Sequence, residues 1–140
     1  NNFNISVILS ELSAQTYIDR KYNNSDNSSQ LYNDIVDYIT LNICTNLKVT
    51  DIADYFGYNE KYLTTYFRKW SKVSIKQFIM QTKMDHAKAQ LTETNHSVSQ
   101  IGYNIGYRDP HNFTNAFKKV TGLTPSDYRD SYSKRRSNNQ

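Results

Sequence analysis

Seven basic side chains fall between positions 61 and 88: Lys61, Arg68, Lys69, Lys72, Lys76, Lys83 and Lys88. Asp85 is the one acid among them, so the local balance is +6 in a chain whose formal net charge is +4. Such a cluster suits a polyanion, because each phosphate neutralised releases condensed counterions. A charge run alone is also the ordinary composition of a solvated helix face, so its meaning depends on the surrounding pattern. The other reactive side chains offer little chemistry. His86, His96 and His111 have no partner ligand at short spacing, and Cys44 stands alone, so no metal site, cofactor or internal disulfide is expected. No histidine near Cys44 in sequence could activate it as a nucleophile, and a free cysteine reads as a small buried hydrophobe. With no catalytic acid–base pair and no phosphate-cradling loop, the chain is not expected to be an enzyme. Tyrosines can stack on bases, but Tyr38, Tyr55 and Tyr66 sit at helical spacing and are expected in the core. Lys134, Arg135 and Arg136 could brush phosphates, although a frayed, solvated terminus is the simpler expectation.

These side chains must be carried by helices. Only four Gly and two Pro interrupt the 140 residues, leaving long stretches free to be helical. No run approaches the ~18 apolar residues needed to cross a bilayer, and no signal-peptide pattern opens the chain, so no membrane partner is expected. The single cysteine fits a reducing cytoplasm. The first residue is Asn rather than Met, and the polypeptide reads as cut from something longer. Ile5, Ile8, Leu9, Leu12, Tyr17 and Ile18 predict a helix over 3–21. The wholly polar stretch 23–29 reads as a linker, so residues 1–30 are assigned to a preceding, absent domain. From Leu31 a second amphipathic pattern runs through Ile35, Tyr38, Ile39 and Ile43.

A duplicated pattern follows. Thr50 offers an N-cap hydroxyl and Asp51 an acid in the first turn, ahead of Ile52 and Ala53. Gly57 then supplies a stop, since it accepts the left-handed conformation. Asn59 caps a second helix bearing Leu63, Phe67 and Trp70 on one face. Gln100, Ile101 and Gly102, then Gly106, then Asp109 with Pro110 at the first helical position, repeat the arrangement and lead to Phe113 and Phe117. The copies are offset by 49 residues at Ala53 and Gly102 and by 50 at Phe67 and Phe117. This is an internal repeat of helix, tight glycine turn and helix. A small residue at Ala53 or Gly102 lets paired helices approach, and the Leu63/Phe67 and Phe113/Phe117 pairs fill the wedge between them.

Ser74 caps a connecting helix over 75–93, with Ile75, Phe78, Ile79, Ala87 and Leu91 mostly along one side. At ~1.5 Å per residue it spans about 28 Å, near the ~34 Å between successive major-groove faces of B-DNA. The expected fold is all-α, with about seven helices: two helix-turn-helix subdomains (31–74 and 94–131), the connecting helix, the N-terminal helical segment and a basic, flexible tail over 132–140.

The pattern resembles the C-terminal DNA-binding domain of AraC-type (arabinose-regulator-like) bacterial transcription factors over roughly residues 31–131. Its most specific part is the ordered set Ile101-Gly102, Gly106-Tyr107, Asp109, Asn112-Phe113, Phe117-Lys118-Lys119, Gly122, Thr124-Pro125 and Tyr128-Arg129. The first copy agrees through Ile52-Ala53, Gly57-Tyr58, Tyr62-Leu63 and Phe67. Four positions depart from the family habit. Lys72 stands for a usual Gly, Gly102 for Ala, Lys83 for a common Arg and Tyr107 for Phe.

The resemblance implies a DNA-binding transcription regulator, by family habit an activator, that places the second helix of each motif in successive major grooves of promoter DNA. Carried onto this chain, the base-facing positions are Lys61, Thr64 and Thr65 in the first copy and His111, Thr114 and Asn115 in the second. All point away from the apolar anchors. Lys can donate to guanine, Asn can pair with adenine, and Thr can hydrogen-bond or touch a thymine methyl. Arg68, Lys69, Lys118 and Lys119 are expected on phosphates, and Ala53, Gly57, Leu63, Phe67, Gly102, Gly106, Phe113, Phe117 and Pro125 as structural anchors. Arg129 reads as structural, pairing with a nearby acid. Expected partners are double-stranded promoter DNA, RNA polymerase and an N-terminal sensing or dimerisation domain. The alternative is a helical interaction module that contacts RNA polymerase or a regulatory N-terminal domain.

Overall fold

The computed structural model of the chain describes residues 28–139. The helix expected over 3–21, and the polar stretch as far as Asn27, lie outside the described residues. Ser28 and Ser29, expected in the linker, open the first described helix, α1 (Ser28–Leu41). Six more follow: α2 (Val49–Phe56), α3 (Glu60–Ser71), α4 (Ile75–Glu93), α5 (Val98–Asn104), α6 (Pro110–Thr121) and α7 (Pro125–Asn138). The described residues are all-α, with two compact units. Among the described residues, one takes 28–42 and Leu47–Phe78, the other Ile43–Asn46 and 79–139, so α4 begins in the first and ends in the second.

In the first unit Leu31, Ile35 and Ile39 of α1 are buried with Ile52, Ala53 and Phe56 of α2, Leu63 and Phe67 of α3, and Ile75. In the second, Met84, Ala87 and Leu91 of α4 form one cluster with Ile101, Ile105, Phe113 and Phe117. Each residue lies at the three- or four-residue step that turns one helical stripe inward.

The internal repeat extends to hydrogen bonds and ring contacts. Tyr58 N–H donates to Ala53 O at 3.0 Å, and Tyr107 N–H to Gly102 O at 2.9 Å, closing the helix ends at Gly57 (φ 73°) and Gly106 (φ 93°). Asn59 Oδ1 accepts from Tyr62 N–H at 2.7 Å, and Asp109 Oδ1 from His111 N–H at 2.9 Å. The Phe67–Phe78 edge contact (5.3 Å between centroids) recurs as Phe117–Tyr128 (5.5 Å). Ser74 and Thr124 cap α4 and α7 alike, each accepting at 3.2 Å from the N–H three residues on. The repeat therefore runs past the second helix of each copy and into the start of a third.

Several expectations are corrected. Helix α2 starts at Val49, one residue before the expected cap Thr50, because Val49 is buried and the Asp51 carboxylate accepts from Lys48 N–H at 2.9 Å. Trp70 is 40% exposed and rests beside Tyr32 and Tyr66 at the margin of the core. Ile43 is buried but lies beyond the end of α1. The basic tail, expected from residue 132, continues α7 as exposed helix to Asn138.

Lys72 takes the place of Gly122 without changing the turn. Its φ of 68° matches the 83° of Gly122, and their N–H groups donate to Arg68 O and Lys118 O at 2.9 and 2.8 Å. A side chain in the left-handed region carries a cost of about 1–2 kcal/mol that glycine escapes. Lys72→Gly, after allowance for the extra freedom of the unfolded chain, should stabilise the protein by about 0.5–1 kcal/mol in urea denaturation. Gly122→Ala should destabilise it similarly, and by conformation alone, since nothing lies within 4 Å of the added Cβ.

Candidate nucleic-acid interface

Helix α3 turns Leu63 and Phe67 fully inward and leaves Lys61, Thr65, Arg68 and Lys69 exposed, with Thr64 half-buried. Helix α6 does the same position for position: Phe113 and Phe117 are buried, His111, Asn115, Lys118 and Lys119 exposed, and Thr114 half-buried. Positions 61, 64, 65 and 68, like 111, 114, 115 and 118, follow the i, i+3, i+4, i+7 spacing that gathers side chains on one helix face. Each face is short, polar and cationic at its C-terminal end, where Arg68–Lys69 and Lys118–Lys119 also complement the helix dipole. The hydroxyls on α3 are turned back onto their own helix: Thr64 donates to Glu60 O at 2.6 Å and Thr65 to Lys61 O at 2.9 Å.

A glycine in the left-handed region precedes each of these helices, Gly57 before α3 and Gly106 before α6. Ala53 and Gly102 are buried, and a Cβ at Gly102 would lie 2.8–3.0 Å from the Phe113 side chain. Pro125 is buried at the start of α7.

Of the seven cations between 61 and 88, Lys61, Arg68, Lys69, Lys72 and Lys76 are exposed. Lys83 leaves the cluster. Its ammonium is buried and donates to Ile43 O (2.8 Å), Thr45 O (2.8 Å) and Ile105 O (2.6 Å), so it holds the fold together and meets no phosphate. Burial pushes this ammonium below the ordinary lysine range, with Cys44 working the other way. The three carbonyl oxygens also favour the charged form and oppose the shift. Cys44, expected inside, is exposed on the segment that Lys83 grips. Tyr107 places its ring 5.9 Å from the Lys83 ammonium and donates its hydroxyl to Met80 Sδ at 3.4 Å. Arg129 is structural through partners other than the expected acid: it donates to Leu91 O (3.0 Å), Thr94 O (3.4 Å) and His96 O (2.7 Å).

One feature of α3 was not legible as a site. Tyr58, Tyr62, Tyr66 and Trp70 form a run of neighbouring rings 5.0, 6.3 and 6.4 Å apart along the helix flank. The four-residue spacing was visible, but the same spacing describes core, and the exposure of Tyr62 and Trp70 depends on the fold.

A helix-turn-helix domain family model matches residues 52–131, both motifs and the helix between them. The chain belongs to the AraC-type helix-turn-helix family. That family is one of DNA-binding transcription regulators, not of enzymes. The raffinose operon transcriptional regulatory protein RafR of Pediococcus pentosaceus is 32% identical over 104 residues, which are 74% of this chain and 38% of that protein. The chain thus spans well under half the length of this relative. Its fold is shared with the DNA-binding domain of AdpA, a global transcriptional factor solved in complex with a target DNA (TM-score 0.72, 20% identity, 76% of this chain and 96% of the other). A transcriptional regulator from Chromobacterium violaceum of AraC-type is similar in fold, with TM-score 0.69, 22% identity, and 77% and 96% of the two chains covered. In this AraC-type domain, α3 and α6 are the second helices of the two motifs. Among the described residues no helix is long and apolar enough to cross a membrane.

Proposed function

We propose that this AraC-type domain binds promoter DNA sequence-specifically, laying α3 and α6 each in a major groove. Lys61, Thr64 and Thr65, with His111, Thr114 and Asn115, read base edges; Arg68, Lys69, Lys118 and Lys119 hold phosphates and set register. The observation that carries the reading is the repeated polar face, exposed at the same positions in both copies and backed by two buried anchors each time. The domain serves a longer cytoplasmic regulator, an activator, in which an N-terminal module senses a signal or dimerises and RNA polymerase is the downstream partner.

Titration of the chain against a promoter duplex tests this. Affinity should fall steeply with added salt. Lys61→Ala or Asn115→Ala should weaken the specific duplex by about 1–3 kcal/mol and leave a random duplex nearly unchanged. Arg68→Ala should weaken both alike and reduce the salt slope by about 1. Equal losses on both duplexes for Lys61→Ala and Asn115→Ala would remove them from the base-reading set.

The exposed rings of Tyr62 and Trp70 favour a second, compatible reading, in which this flank of α3 meets protein. A chain that cannot shift a promoter fragment without another protein present would make that reading the primary one.

A further inference from the structure

Resting on the base-reading assignment above, we infer that Thr64 and Thr65 recognise thymine through their γ-methyl groups, so that the first motif reads the 5-methyl of thymine. A threonine hydroxyl has one proton to give. At both positions it is given to the carbonyl of the preceding helical turn, at 2.6 Å from Thr64 to Glu60 O and 2.9 Å from Thr65 to Lys61 O. With that proton committed, neither side chain donates to guanine O6 and N7, adenine N7 or thymine O4, the acceptors of the major-groove edges. What remains to meet a base is a methyl group and an oxygen that accepts only. The apolar feature that the major groove offers is the thymine methyl. Lys61, three and four residues earlier on the same face, is the donor of the set and takes guanine. On α6 the position equivalent to Thr65 is Asn115, an exposed carboxamide with donors and an acceptor suited to adenine. The duplicated scaffold thus carries unlike chemistry, methyl contact in one copy and hydrogen bonding in the other.

The test uses the duplex that the chain enriches from a random-sequence pool, with each thymine replaced in turn by deoxyuridine. Pairing is kept and the 5-methyl is lost. One or two of these replacements should weaken binding by about fourfold each, the value of one buried methyl. The double variant Thr64→Ser/Thr65→Ser keeps the hydroxyls, lacks the methyls, and should no longer distinguish deoxyuridine from thymidine. Thr64→Val/Thr65→Val keeps the methyls and should remain sensitive. Tolerance of deoxyuridine at every position, or undiminished sensitivity in the serine variant, overturns the inference. Alanine variants at these two positions, Thr64→Ala and Thr65→Ala, separate its failure from failure of the underlying assignment. Weakened alanine variants on a deoxyuridine-tolerant duplex reject methyl recognition and keep the base contacts. Alanine variants that bind like the wild type reject the base contacts themselves.

Discussion

Lys83→Met should destabilise the protein by about 3 kcal/mol, read from the urea midpoint at unchanged slope, although methionine preserves most of the buried stem. The loss comes from the far end of the side chain. Ile43 O and Ile105 O are buried acceptors of the ammonium, and Thr45 O is a third, partly buried one. Removing the donor leaves carbonyls that water cannot easily reach, each carrying a penalty of about 1–3 kcal/mol. The thioether returns none of it. Lys83→Arg should recover part of the loss, because a guanidinium can serve several carbonyls at once, as Arg129 does with Leu91, Thr94 and His96. Recovery is partial because room is short: a Cβ on Gly106 would already lie 3.0 Å from the Lys83 nitrogen and 2.8 Å from Thr45 O. A Lys83→Met variant as stable as the wild type would mean that the three carbonyls find other donors.

The same lysine shows which parts of this molecule the sequence could and could not disclose. The glycine turns, the Asn59 and Asp109 caps and the paired anchors were legible because each is a local event, settled by a few neighbouring residues. The exposed faces of α3 and α6 followed from the anchors, since the helical period places one once the other is known. Lys83 was counted among the cations facing solvent because its partners lie 40, 38 and 22 residues away. Nothing local marks a lysine that will be buried. Cys44 failed in the opposite sense, being small and apolar enough for the core yet placed outside it by the segment that Lys83 grips. Trp70 carried the right spacing for burial, but its ring lies where the α3 stripe meets its margin. The four departures from family habit have physical readings once the fold is known. Lys72 tolerates a left-handed turn, Lys83 replaces one cationic donor with another, Tyr107 uses its hydroxyl on Met80, and Gly102 makes room for Phe113.

That last pairing supports a prediction in which the effect of one substitution depends on the other. Phe113→Ala should destabilise the protein by about 3–5 kcal/mol, because the ring is wholly buried against α5 and Tyr107 and its loss leaves a cavity. Gly102→Ala alone should also destabilise, by about 1 kcal/mol. Alanine gains about 1 kcal/mol of helix propensity within α5, but its Cβ would lie 2.8 Å from Phe113 Cδ2 and 2.9 Å from Cγ. Overpacking of that kind costs about 1–3 kcal/mol. In the Phe113→Ala background the two closest ring atoms are gone and only the Cβ of residue 113, at 3.0 Å, remains, so Gly102→Ala should become about neutral. The cycle of four proteins would then show a coupling of about 1 kcal/mol between the two positions, within the range for residues in direct contact. Additive effects would mean that the ring moves aside at little cost and that the close approach of α5 and α6 does not depend on Gly102. Because α6 carries His111, Thr114 and Asn115, loosening this wedge should also reduce discrimination between specific and random DNA under conditions where the variant remains folded.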